Sequence, residues 1–173
     1  MAKFFASIVI VLWASFAMAQ TGIDSEKPIE ISADQLEVQQ ENQLAVFSGN
    51  VVAVQGGITM KSARMLVYYS NSGSKESSGG MAQGIRQIVA DGGVFFTSAT
   101  ETARGQQATY DVNGEQITMT GDVVLTREQN VLKGQKLVYN LKTGRSVLGS
   151  GGGSTTTGGG GGRVKGLFVP GKN

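Results

Sequence analysis

The chain has 173 residues, with 15 Lys and Arg against 13 Asp and Glu, and neither Cys nor His. That length suits one domain, and so even a charge balance does not suggest a nucleic-acid partner. Lack of Cys excludes disulfides and thiolate metal sites, and lack of His removes the commonest metal ligand and general base.

Residues 1–19 read as a secretory signal peptide. Lys3 gives the positive start, residues 4–16 are an apolar run, and Ala17-Met18-Ala19 is a small-x-small cleavage site before Gln20. The run is short for a membrane span, which needs about 20 residues. No Cys follows it, so lipoprotein processing is excluded. Cleavage after Ala19 would leave 14 basic and 13 acidic residues in an exported chain.

Residues 20–148 read as one all-β domain. Pro28 sets an extended entry into Ile29-Glu30-Ile31, and Leu36-Glu37-Val38 alternates again. Strand candidates follow at 44–47, 51–54, 58–60 and 65–69, rich in Val, Ile, Phe and Tyr and bounded by Gly and Asn. Residues 70–84 are Ser/Gly loop chemistry. Strands resume at 85–90 and 94–97, and Asn113-Gly114 is a strong hairpin signal. Runs at 117–120, 123–126, 131–132 and 137–141 complete the series. In residues 149–162, nine of fourteen are Gly and the rest Ser or Thr, which predicts a flexible linker. Residues 163–173 then hold a terminal strand candidate that ends near Pro170.

The series repeats. Gly49, Gly92 and Gly121 each open a segment, and a basic residue, Lys61, Arg104 or Lys133, follows twelve positions later. The last two copies are 29 residues apart, and the insert at 70–84 lengthens the first spacing to 43. Such repeats predict stacked hairpins around one continuous core. Aligning the copies selects an inward face of Ile29, Ile31, Leu36, Val38, Phe47, Val51, Met60, Met65, Val67, Val94, Phe96, Tyr110, Ile117, Met119, Val123, Leu125, Leu132, Leu137 and Tyr139.

Reactive chemistry is thin. A catalytic triad with His and a Cys nucleophile are both excluded. The glycine tract lacks the Gly-Lys-Ser/Thr of a phosphate loop. Asp34, Glu37, Asp111 and Glu115 form no recognisable carboxylate pair and read as solvated turn residues. The expectation is a protein that is not an enzyme, with no cofactor, no metal site and no catalytic residue. Lys61, Arg64, Arg104, Lys133 and Lys136 read first as a solvated row that keeps strand edges soluble, with lipid-phosphate contact as the sharper alternative.

Four segments resemble the LptA (OstA-like) family of periplasmic lipopolysaccharide transport proteins. They are Lys27-Pro28-Ile29-Glu30-Ile31-Ser32-Ala33-Asp34, Phe47-Ser48-Gly49-Asn50-Val51-Val52, Leu132-Lys133-Gly134-Gln135-Lys136-Leu137-Val138-Tyr139 and Arg163-Val164-Lys165-Gly166-Leu167-Phe168-Val169-Pro170. The inserts at 70–84 and 149–162 depart from the family pattern. The resemblance implies an open, twisted antiparallel β-jelly-roll in the periplasm. It implies self-association end to end, between an LptC-like inner-membrane protein and an LptD-like outer-membrane protein. The cargo would be lipopolysaccharide, its lipid A chains shielded by the inward face, with Ile29 and Ile31 matching the lipid-facing first strand. Residues 29–32 at one end, and either 137–141 or 164–169 at the other, are the candidate pairing edges. A membrane-anchored LptC-like protein and a ligand-free structural or adhesive β-repeat remain alternatives.

Overall fold

The computed structural model describes residues 24–70, 84–151 and 163–169. The signal peptide, most of the Ser/Gly insert, residues 152–162 of the linker and Pro170 lie outside the described residues.

Ten strands form one antiparallel sheet: β1 (Glu30–Ser32), β2 (Gln35–Gln39), β3 (Leu44–Gln55), β4 (Ile58–Tyr69), β5 (Ile85–Thr97), β6 (Thr102–Asp111), β7 (Gln116–Arg127), β8 (Asn130–Asn140), β9 (Arg145–Gly149) and β10 (Lys165–Leu167). β3 to β8 pair in sequence order. β1 and β2 lie along successive halves of β3, while β9 and β10 share β8. The two terminal pairs are not joined, so the sheet is open at both ends. Among the described residues there is no α-helix, as the period-two patterning predicts. β9 has no clear signal in the sequence. It follows an Asx turn in which Asn140 Oδ1 accepts the Thr143 N–H at 2.9 Å.

The repeated glycines do not end strands. Each sits inside a long one, at a β-bulge. Register shifts fall between Ser48 and Val51, between Asp91 and Val94, and between Thr120 and Val123. Two residues there oppose one across the ladder, and both take positive φ: Gly49 and Asn50 at 79° and 45°, Gly92 and Gly93 at 83° and 87°, Gly121 and Asp122 at 82° and 47°. Gly reaches that region without strain, and Asn and Asp tolerate it best among the rest. The second residue of each copy is therefore Asn, Gly or Asp for one reason. Because the bulges recur on alternate strands at one height, they form a row that divides every long strand in two.

The halves fold onto each other as two layers. The first holds 51–55, 58–62, 94–97, 102–105, 123–127 and 130–134. The second holds 44–48, 64–69, 85–91, 107–111, 116–120 and 136–140. Contacts between the halves prove the arrangement. Phe96 of the first layer packs on Tyr139 of the second with ring centroids 5.0 Å apart and planes tilted by 54°, a geometry worth about 0.5–1.5 kcal/mol beyond burial. The Tyr110 hydroxyl of the second layer donates to Gln55 Oε1 of the first at 2.9 Å. The bulges also change the inward phase on β4, from Met60 and Ser62 to Met65 and Val67. β8 changes in the same way, from Gly134 to Leu137.

Candidate functional site

The nineteen residues selected by alignment share the face between the layers. Val51, Met60, Met65, Val67, Val94, Phe96, Tyr110, Ile117, Met119, Val123, Leu125, Leu137 and Tyr139 are buried. Ile29, Ile31, Phe47 and Leu132 pack against that cluster from its margins. Leu36 and Val38 pair across from Phe47 and Ala45, so they point to the same face, yet they are 48% and 42% exposed. The inner face thus begins uncovered at the β1/β2 edge and runs into a closed interior.

That interior is filled. Phe96, Met65, Met119 and Leu137 are fully buried in it, and the half-open space bounded by Ile29, Ala53, Ile58, Met60, Ile88 and Tyr110 is about 20 Å³, room for about one water. An acyl chain can enter only if side chains move or the layers part. Met60, Met65 and Met119 suit such movement, since unbranched thioethers repack easily.

Sequence reasoning missed what fills and fastens this space. Ala45, Ala53, Ala90, Ala103 and Ala108 are buried. They give almost no hydrophobic pattern, but they let the layers approach. Three polar residues, Gln55, Ser62 and Glu101, are buried too. They have partners: among the described residues no buried side-chain polar atom lacks one.

Two of these polar groups stitch the layers together opposite the bulge row. Gln55 accepts from Tyr110, and its Nε2 donates to the carbonyls of Ser25 and Lys27 at 2.7 and 2.9 Å. The Ser25 hydroxyl donates to Glu115 Oε1 at 2.6 Å. Residues 24–28 therefore strap one layer to the other. Farther along, the Glu101 carboxylate has no exposed side-chain surface. Arg127 donates to its Oε2 from Nη2 at 2.7 Å and from Nε at 3.2 Å, and Ser146 of β9 donates to its Oε1.

Burial lifts both seam tyrosines above the usual phenol range. For Tyr110 the Glu115 charge adds to the desolvation, and the Gln55 bond opposes it. For Tyr139 desolvation again leads. Folding therefore favours the neutral phenols. Their contribution is whole below the unfolded value near 10 and is lost as pH rises through the folded values. Stability measured by urea unfolding should fall above pH 10. Tyr110→Phe should lose about 1 kcal/mol at neutral pH with the Gln55 bond, and should fall less steeply in alkali.

Basic residues lie outside. Lys61, Arg64, Arg104, Lys133 and Lys136 are all exposed. Among the described residues no cluster of three or more carboxylates could hold a metal. Residues 137–141, a candidate edge, are covered by β9, so the free edges are β1/β2 and β9/β10.

An open, all-β, two-layered sheet with an apolar inner face is a jelly-roll-like fold. Residues 30–145 match the family model described as "LptA/(LptD N-terminal domain) LPS transport protein". The chain belongs to this family. It is 31% identical over 148 residues to an uncharacterized protein of Rhizobium meliloti, covering 85% of this chain and 78% of that one. It is 24% identical to "Lipopolysaccharide export system protein LptA" of Haemophilus influenzae, over 80% of this chain and 78% of the relative. Against "Lipopolysaccharide export system protein LptH" of Pseudomonas aeruginosa the identity is 26%, over 83% and 79%. The crystal structure of LptH, titled as the LptA-homologous periplasmic component of a lipopolysaccharide transport device, superposes with a TM-score of 0.68. That match has 21% identity and covers 86% of this chain and 99% of LptH. At that identity the superposition speaks for the fold.

Proposed function

We propose that this chain is a periplasmic lipopolysaccharide transport protein whose inner face shields lipid A acyl chains. The observation that carries the reading is the uncovered apolar start of that face, where Leu36 and Val38 stand at the unpaired β2 edge and lead through Phe47 into the core. An acyl chain of about twelve carbons costs roughly 8–10 kcal/mol to hold in water. A continuous apolar face offsets that cost without a tight pocket, which also permits release. The family and its named relatives support the same cargo.

Copies of the chain would stack end to end through the β1/β2 and β9/β10 edges, whose backbone groups are free to pair. The stack would run from an LptC-like inner-membrane protein to an LptD-like outer-membrane protein. Residues 1–19 would be removed after Ala19, and residues 149–162 would tether the last strand.

Leu36→Asp with Val38→Asp tests the reading. Both side chains are exposed, so the fold should survive. Lipopolysaccharide retained on the purified protein should drop by about tenfold or more, the expected loss of two apolar contacts. Unchanged retention would refute it. The close burial of the core side chains favours one rival, a ligand-free β-repeat; that reading predicts no co-purifying lipid A from the parent protein.

A further inference from the structure

The cations that mark each repeat fall into a single cross-strand row on the outside of the first layer. Lys61 pairs with Val52 on one side and Phe95 on the other. Phe95 pairs with Arg104, Arg104 with Val124, and Val124 with Lys133. Lys165 of β10 extends the row beyond Lys133. Directly paired residues project to one face, so apolar side chains and cations alternate from Val52 to Lys133, and Lys165 adds a second cation beside Lys133. Cations on alternate strands stand about 9–10 Å apart.

Phe95 is 57% exposed in the middle of the row, where a purely solvated face would carry a polar residue. The next row outward runs Glu30, Val54, Thr59, Thr97, Thr102, Thr126, Val131 and Leu167. It holds one carboxylate, at its far end. On the bulge side, Asp34 and Asp122 are bonded by Asn50 and Gln135 at 2.8 and 3.0 Å. Beyond the bulges, Asp91 stands opposite Arg64. The outside of the second layer is closer to balance: Glu37, Asp91 and Asp111 stand there with Arg64, Lys136 and Arg145.

We propose that this face docks on an anionic membrane surface. Lys61, Arg104, Lys133 and Lys165 would meet lipid phosphates, and Phe95 would enter the headgroup region. A bilayer suits the row because it offers negative charge and apolar depth together over a flat area. A soluble anion would use the cations alone and leave Phe95 in water. The docking is peripheral and salt-sensitive, since these charges are exposed and screened within about 10 Å at 0.1 M ionic strength. It goes beyond the inner-face reading and does not depend on it.

Sedimentation with vesicles of phosphatidylglycerol and phosphatidylethanolamine, against vesicles of phosphatidylcholine, tests this at low and high salt. The protein should pellet with the anionic vesicles only, and less as salt rises. Lys61→Gln, Arg104→Gln or Lys133→Gln should each lower partitioning about fivefold, and the triple variant about a hundredfold. Phe95→Ser should lower it at every salt concentration. A control triple on the second layer and its turns, Arg86→Gln, Lys142→Gln and Arg145→Gln, removes the same charge and should keep most of the binding. Equal loss in the control would overturn the proposal in favour of net charge. Equal pelleting with phosphatidylcholine, no pelleting with either vesicle, or an unaltered Phe95→Ser would overturn it as well. Leu36→Asp with Val38→Asp should leave vesicle binding intact, which separates this face from the inner one.

Discussion

Arg127→Met is expected to destabilise the protein by about 2–3 kcal/mol. The Glu101 carboxylate is wholly buried and takes two hydrogen bonds from Arg127. Removing the guanidinium leaves a buried charge with Ser146 as its remaining side-chain partner. Losing one member of a fully buried pair typically costs about 3–5 kcal/mol. Arg127 is half exposed, so water reaches one side and the expected loss is smaller. The urea midpoint should shift by about 1–2 M at ordinary slopes. Adding Glu101→Gln to Arg127→Met should restore more than half of the loss, because the uncompensated charge is gone. If the double variant is as unstable as the single one, packing of the Arg127 stem matters and the ion pair does not. The consequence reaches the edge of the sheet, since Ser146 lies on β9. Amide exchange in residues 145–149 should rise in Arg127→Met.

Gly92→Val should cost about 3 kcal/mol or more. Gly92 has a φ of 83°, and a Cβ there would come 2.7 Å from the Ala63 Cβ on the neighbouring strand. A β-branched residue in that region is strained by about 1–3 kcal/mol before any clash is counted. The Ala63 methyl cannot swing aside as a long side chain would. The bulge must then open or move, which disturbs the bend between the layers. Gly57→Ala provides the comparison. Its φ is 95°, but nothing lies within 4 Å of the added carbon, so it should lose only the backbone part. Thermal unfolding of the two variants separates steric cost at the bulge row from the general cost of a left-handed residue.

Much of this architecture was legible in the sequence, and the limits have physical causes. The inward face was readable because Val, Ile, Leu, Met and Phe alternate along each strand, and because the copies could be aligned across strands. Alignment carried the selection through the phase change between Met60 and Met65, which simple alternation would have lost. The bulges were misread as strand boundaries, since Gly-Asn and Gly-Gly are also turn signals. The distinguishing sign is three Gly-led pairs, Gly49-Asn50, Gly92-Gly93 and Gly121-Asp122, each Gly followed twelve residues on by Lys or Arg. That spacing leads from a bulge on β3, β5 or β7 around one hairpin to the same height on the next strand. Buried Gln55 and Glu101 were not legible, because their partners come from strands or turns 26 to 55 residues away. The alanines failed for another reason, as a small side chain carries the same weak signal inside and outside.

The tightly packed interior bears on the proposed lipid path. The face is apolar along its length, but its side chains are closely buried, with Met65, Phe96, Met119 and Leu137 almost without exposed surface. On the proposed function, lipid that enters between the layers displaces methionine side chains or parts the layers along the seam. Gln55, Tyr110 and the residue 24–28 strap hold that seam beside the open edge, while Glu101 and Ser146 of β9 hold it at the other end.

The central claim is that cargo runs between the layers. A photo-reactive side chain placed at Phe47 or Ile31 in cells, with one at Glu30 on the outward face of the same edge, tests it most directly. Lipopolysaccharide should be captured from Phe47 and Ile31 and not from Glu30. No capture from the inner positions, or equal capture from Glu30, would contradict the claim.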